Sequence, residues 1–282
     1  MGLTICSLAS GSSGNATYIS TGRTSILVDC GPSARDVVHR LAQIGVHPSQ
    51  IDGILITHAH MDHHRSTGTL SLRYSIPVYV DPSTAAALHT KGQWTSWRRL
   101  RETFPIPERI GDIEVQALDT SHGSPERDGR TVAYVLRCHD GRVGVVTDLG
   151  VTSEDMIEHL SSVDALVLEA NYDEDVIHRK LADPSFAEDW HYLAWVLGDR
   201  GHLSNRQCAE MLAAILTERD CHVFLGHVSE NHFDPRQDNN DYRRSVETIR
   251  GLLQRERLPV PHLHRTYRIG REPSRPSDRI EI

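Results

Sequence analysis

The run Thr57-His58-Ala59-His60-Met61-Asp62-His63-His64, set directly after the apolar Ile54-Leu55-Ile56, constrains this chain more than any other stretch. A short apolar run of that kind reads as a buried strand, and it delivers four imidazoles and a carboxylate into one loop. Such groups do not crowd together at the edge of a core unless a cation satisfies them. Imidazole nitrogen with carboxylate oxygen suits zinc, iron or manganese. The two-residue spacing of His58, His60 and Asp62 lets a tight loop divide its donors between two neighbouring ions. A solvated His-rich loop is the competing reading. It accounts for one stray imidazole far more readily than for this cluster.

The chain has 282 residues, 38% of them hydrophobic, enough to bury a sizeable core in one domain. A net charge of −8 sets up no overall field for nucleic acid or an anionic membrane, so a polyanion would need a local patch or a metal. The cysteines Cys6, Cys30, Cys138, Cys208 and Cys221 are odd in number and form no C-x-x-C pair. That pattern argues against a disulfide framework and fits a reducing cytosol, so a cytoplasmic location is expected. The N-terminus lacks the basic and apolar regions of a signal peptide, and no apolar run is long enough to span a membrane.

Strands are expected at residues 4–9, 16–19, 25–28, 53–56 and 78–80, with a polar turn at 10–15 joining the first two. Ser33 can cap a helix whose apolar positions are Ala34, Val37, Val38, Leu41 and Ile44, and Gly45 can end it. Residues 131–137 and 142–146 flank His139-Asp140-Gly141, a hairpin signal. Short buried strands are expected at 165–168 and 222–225. Between them, Ser204 and Gln207 form a capping box ahead of the stripe Cys208, Met211, Leu212, Ile215 and Leu216. This alternation places the chain in the α/β class, as one domain over residues 1–270. Residues 271–282, with Pro273 and Pro276, are expected to be a loose polar tail.

More metal-type residues stand where these strands stop: Asp29, His122, Asp148 and His227. Binding groups collect where a rigid sheet hands over to loops. Singly each would read as a cap or a surface residue; with the His58–His63 cluster they complete a binuclear site. The pattern resembles the metallo-β-lactamase superfamily. Its H-x-H-x-D-H motif is present as His58, His60, Asp62 and His63, its lone downstream His as His122, its bridging carboxylate as Asp148 and its last His as His227. Asp29 matches the strand-end Asp that orients the motif loop.

Within the superfamily the chain is similar to the YycJ/WalJ-like branch. The matching stretches are Ser7-Leu8-Ala9-Ser10-Gly11-Ser12-Ser13-Gly14-Asn15, Thr147-Asp148-Leu149-Gly150, Leu168-Glu169-Ala170-Asn171 and Gly201-His202-Leu203-Ser204-Asn205. The resemblance implies a four-layer αβ/βα sandwich with two mixed β-sheets and the metals at one edge between them. It also implies 5′-to-3′ exonuclease-like activity on DNA. The chain departs from the branch in carrying Tyr172 where a His is usual and His64 where an apolar residue is usual. The segment 173–200 also diverges more.

The assignment gives His58, His60 and His122 to one ion and Asp62, His63 and His227 to the other, with Asp148 bridging. The ions are expected to be zinc or manganese, with iron an option. Two ions about 3.5–4 Å apart can share a hydroxide and clamp attacking and leaving oxygens, so a phosphodiester is a suitable electrophile. Asp62 can orient that hydroxide, and His202 is the candidate leaving-group acid or phosphate contact. Its competing role is that of a residue ahead of a capped helix.

Backbone N–H groups and side chains at Ser204 and Asn205, and in the turn carrying Ser12, Ser13 and Asn15, are candidate phosphate contacts. Asp29, Glu169, His64 and Tyr172 are candidate supporting groups around the ligands. Trp94, Trp97, Arg98, Arg99 and Arg101 interleave aromatic and basic groups that could stack single-stranded DNA. An amphipathic helix with a solvated basic face is the commoner meaning of that pattern. His232, His262 and His264 show no partner in the sequence.

The leading expectation is a metal-dependent phosphodiesterase, an exonuclease acting on single- or double-stranded DNA in repair. The alternative is a hydrolase of a small ester, thioester, lactone or cyclic phosphodiester, since fold does not decide between these. A di-iron oxidoreductase and a non-catalytic, metal-stabilised regulatory module carry less weight. Oligomeric state is open, a dimer included.

Overall fold

The computed structural model describes residues 2–90, 97, 100, 102–216, 220–228, 242–269 and 275–282. Thirteen strands and ten α-helices are described, forming an α/β fold with two mixed sheets, of six and seven strands, flanked by helices, as expected. The chain divides into two compact units. One comprises the described residues of Met1–Asp119, Ser124–Val145 and Thr266–Ile282, and the other those of Thr120–Gly123 and Val146–Arg265.

The first unit holds β1 (Thr4–Ala9), β2 (Ala16–Ser20), β3 (Ser25–Val28), β4 (Gly53–Leu55) and β5 (Val78–Tyr79). The first two are buried along their whole length, as central strands are. β1, β2 and β3 pair antiparallel through tight turns, whereas β3, β4 and β5 pair parallel and need crossovers. The first crossover is α1 (Ala34–Gln43). Ser33 caps it by accepting the Asp36 N–H at 3.2 Å, and Val37 and Leu41 are buried beneath it. The second crossover carries the His cluster into α2 (Met61–His64), followed by α3 (Thr67–Tyr74). The motif loop therefore leaves the carboxyl end of a parallel strand, where α/β sheets present their ligands.

α4 (Pro82–Thr90), α5 (Pro125–Asp128) and the antiparallel run β6 (Arg109–Ile110), β7 (Ile113–Asp119), β8 (Val132–Arg137) and β9 (Arg142–Val146) follow. The expected hairpin at His139-Asp140-Gly141 closes with the Cys138 N–H on Gly141 O at 3.0 Å. Leu8, Leu27, Val37, Leu41, Ile54, Ile56 and Leu70 belong to the core of this unit.

Residues 275–282, part of the segment expected to be a loose tail, instead add an edge strand, β13 (Ile280–Glu281), antiparallel to β1. Ser277 is buried and its hydroxyl accepts the Ser7 N–H at 2.9 Å. The segment is polar because an edge strand faces water on one side, a composition it shares with a tail.

The second unit carries α6 (Glu154–Leu160), β10 (Ala165–Glu169), α7 (Glu174–Ala182), α8 (Trp190–Val196), α9 (Asn205–Ile215), β11 (His222–Gly226), α10 (Tyr242–Arg255) and β12 (His262–Arg265). β10, β11 and β12 pair parallel. α9 begins with the expected capping box: Ser204 Oγ accepts the Gln207 N–H at 3.1 Å and Gln207 Oε1 accepts the Ser204 N–H at 2.9 Å. No helix among the described residues is long and apolar enough to cross a membrane.

Candidate metal-binding clusters

In the first unit the motif loop is built around Asp29. This residue follows β3 at φ 63°, a left-handed conformation that Asp tolerates better than most residues, held by its N–H on Leu55 O at 2.8 Å. Its carboxylate accepts the Thr57 N–H and the Thr57 hydroxyl, both at 2.9 Å, and lies 2.7 Å from His63 Nδ1. A carboxylate accepting at Nδ1 fixes the proton there and frees Nε2 as a donor of electrons. Burial raises the Asp29 pKa, and His63 and Thr57 oppose that rise. His63 Nε2 then faces Asp62 Oδ2 at 3.4 Å and Asn15 Nδ2 at 3.0 Å. His58 is also buried, with its ring 4.1 Å from that of His63 and 4.6 Å from that of His60.

The loop is clamped from neighbouring segments of the unit. Val132 donates its N–H to Thr57 O at 3.1 Å, and Tyr134 its hydroxyl to Ile56 O at 2.8 Å. The Asn15 N–H donates to Asp62 O at 2.7 Å, and a Cβ on Gly31 would fall 1.5 Å from that same oxygen, so only glycine fits there. Asp128, a buried carboxylate on α5 absent from the sequence expectations, lies 3.7 Å from His60 Nε2.

In the second unit the donors stand at the ends of β7, β9, β10 and β11 and in the loop before α9. His122, just beyond β7, donates from Nδ1 to Gly201 O at 2.7 Å, which turns Nε2 toward Asp148 Oδ1 at 3.7 Å. Asp148 follows β9 at φ 58° and His227 follows β11 at φ 51°. His227 Nε2 stands 3.5 Å from the same Asp148 oxygen, while its Nδ1 lies 2.8 Å from Glu169 Oε1. His202 Nδ1 lies 2.7 Å from Glu169 Oε1 and 3.7 Å from Asp148 Oδ1. Glu169 is fully buried at the end of β10, and its other oxygen accepts the Leu149 and Leu203 N–H groups at 3.0 and 3.3 Å. Burial pushes its pKa up, but His202 and His227 outweigh that and hold it at about 2. Asn171, two residues on, donates to Glu169 Oε1 at 3.1 Å and to His227 O at 2.9 Å. In the sequence it stood only within the matching stretch Leu168-Glu169-Ala170-Asn171, with no role of its own.

The donor chemistry fits a divalent ion. Asp148, Glu169, His202 and His227 each offer a ligand atom within 4.8 Å of the others, and all four are buried. Two ligands about 2.1 Å from one tetrahedral ion are about 3.4 Å apart. The separations of Asp148 Oδ1 from His227 and His122, 3.5 and 3.7 Å, are near that value and too long for strong hydrogen bonds.

Several candidate substrate contacts have side-chain partners within the protein. Asn15 is buried, with Oδ1 accepting the Gly11 N–H at 2.8 Å, so it ties the polar turn to the motif loop. Ser204 is fully buried as the α9 cap and donates to Glu174 Oε1 at 2.7 Å. Asn205 is buried and accepts the Ser245 hydroxyl at 2.9 Å. Ser12 is exposed and hydrogen-bonded to Arg268, and Ser13 is half-buried. Trp97, one of the residues weighed as a stacking surface against the commoner amphipathic-helix reading, is 1% exposed, with its ring edge-on to His64 at 5.8 Å. Trp94, Arg98, Arg99, Arg101 and His232 lie outside the described residues. Tyr172 is buried in the apolar cluster under α8, and His64 is buried with its pKa pushed down to about 3 by burial and by His63.

Two mixed sheets with buried His/Asp clusters at their strand ends define a metallohydrolase of the metallo-β-lactamase fold. Residues 24–223 match the family described as a beta-lactamase superfamily domain, and the chain belongs to the metallo-β-lactamase superfamily. It is 30% identical to the exodeoxyribonuclease YycJ of Bacillus anthracis over 230 residues, covering 81% of this chain and 83% of that one. It is 32% identical to the exodeoxyribonuclease WalJ of Streptococcus pneumoniae serotype 2 over 228 residues, covering 80% and 81%. Zn2+-bound PqqB from Methylobacterium extorquens shares the fold, with a TM-score of 0.66 at 15% identity over 99% of this chain and 100% of that one. The expected family and branch are thereby established.

Proposed function

We propose that this protein is a binuclear metal-dependent phosphodiesterase that shortens DNA from an end, in the 5′-to-3′ sense. One observation carries the reading: the chain keeps every ligand position of the motif while being 30–32% identical, over about four fifths of its length, to chains named exodeoxyribonucleases. In this reading His58, His60 and His122 hold one ion, Asp62, His63 and His227 the other, and Asp148 serves both. The donor set suits zinc or manganese.

Bound divalent ions would supply Lewis acidity toward the phosphodiester and lower the pKa of a water. The side chains do the rest. Asp29 and Glu169 hold His63 and His227 with Nδ1 engaged and Nε2 presented. Asp62, half-buried with Oδ2 3.3 Å from Asn15 Nδ2, holds a proton of the attacking water. His202, backed by Glu169 at 2.7 Å, carries the proton for the leaving oxygen on Nε2.

The test is cleavage of 5′-labelled single- and double-stranded DNA by zinc- and manganese-loaded protein, with Asp148→Ala as control. Stepwise loss of nucleotides, abolished in the variant, is the expected result. Hydrolysis of a small ester or of bis-p-nitrophenyl phosphate without DNA cleavage would overturn the nuclease reading.

A further inference from the structure

α8 lies within the divergent segment 173–200 and presents two aromatic rings, one of them, Trp195, beside two of the second unit's histidines. Tyr192 and Trp195 are three apart, so they share one helix face. They are 41% and 37% exposed, whereas Leu193 and Val196 are buried beneath the helix. The two rings lie nearly parallel, 28° between planes and 6.1 Å between centroids. Trp195 also meets His202 edge-on at 5.3 Å and His122 at 5.6 Å.

The backbone makes this placement rigid. His202 donates its N–H to Val196 O at 3.2 Å, and Gly201 donates to Gly198 O at 2.8 Å. A Cβ on Gly201 would fall 2.3 Å from both Trp195 O and Val196 O, so glycine is needed for the chain to return this closely. Gly201 O is also the acceptor for His122 Nδ1, at 2.7 Å. One short loop thus ends α8, orients His122 and delivers His202.

We infer that Tyr192 and Trp195 form the platform on which an unpaired terminal base of the nucleic-acid substrate stacks, an inference that rests on the nuclease reading above. A base has a π-face whatever its sequence, so a platform of this kind holds a strand end without reading it. A base inside a duplex already has both faces covered. The platform therefore takes a base at a strand end, most readily an unpaired one with both faces open, next to the side of the helix where Trp195 meets His202. It supplies the stacking surface that the buried Trp97 cannot.

The experiment measures KM and kcat on a single-stranded oligonucleotide, and on the same oligonucleotide with abasic residues at its two 5′-terminal positions. The proteins compared are metal-loaded wild type, Tyr192→Ala and Tyr192→Phe, with bound metal measured in each. Wild type should show a KM about tenfold higher on the abasic oligonucleotide, the scale of one base–aromatic stack. Tyr192→Ala should raise KM on the normal oligonucleotide by about the same factor and lose the distinction between the two, with kcat and metal content unchanged. Tyr192→Phe should restore wild-type behaviour. If Tyr192→Ala keeps the wild-type KM and the wild-type ratio, the platform is refuted while the nuclease reading stands. If wild type cleaves no oligonucleotide, the nuclease reading falls and this inference with it.

Discussion

Asp29 and Glu169 do for their histidines what the metal-type residues cannot do for themselves. Each takes a His Nδ1 and thereby sets which nitrogen is presented. Asn at position 29 tolerates the same left-handed backbone but places an amide donor against His63 or Thr57. Asp29→Asn should weaken zinc binding about 10–100-fold with unchanged far-UV circular dichroism; competition with a chromophoric chelator measures it. Unaltered affinity would remove Asp29 from the orienting role.

Glu169 also makes a pH prediction for the metal-free protein. Its folded pKa, about 2, lies below the ordinary 4.5, so its charge contributes stability that is fully present above 4.5 and is lost as pH falls toward 2. Glu169→Gln should be less stable than wild type at pH 6, and urea unfolding should show that gap closing as pH falls through this window.

At the scale of elements, local chemistry specifies ends better than it specifies partners. Ser33 and Ser204 cap α1 and α9 as their spacing requires, because a cap is settled within four residues. Ser204→Ala should cost about 1 kcal/mol in a denaturant titration. A loss of DNA binding without a loss of stability would return Ser204 to the substrate. β12 illustrates the opposite limit. His262 and His264 have no partner in the sequence, yet β12 pairs with β11 and both rings stack on His222, at 4.8 and 5.1 Å. Parallel partners forty residues apart leave no local periodicity to read.

At the scale of the molecule, the chain leaves its first unit after Val145 and returns to it at Thr266. The returning segment closes on the start of the chain. β13 lies on β1, Ser277 O accepts the Cys6 thiol at 3.4 Å, and the buried Arg40 guanidinium donates to Leu8 O, Tyr267 O and Arg268 O. Burial pushes the Cys6 thiol pKa up to about 11 and keeps it inert. Deleting residues 276–282 should lower the denaturation midpoint and make Cys6 react with a disulfide reagent at pH 8. An unreactive Cys6 in the truncated protein would show that this strand does not seal the edge.

The sequence by itself pointed to the candidate donors, the strand ends that carry them and the helix caps, because residue type and spacing over a few positions decide those. Only the tertiary structure decided that Glu169 serves both His202 and His227, and that Asn15, Ser204 and Asn205 are buried. It also decided that Trp97 lies inside while Tyr192 and Trp195 face out. Burial and ring orientation are set by packing between residues far apart in the chain, and an aromatic residue carries the same hydrophobic signal whether its face meets core or solvent.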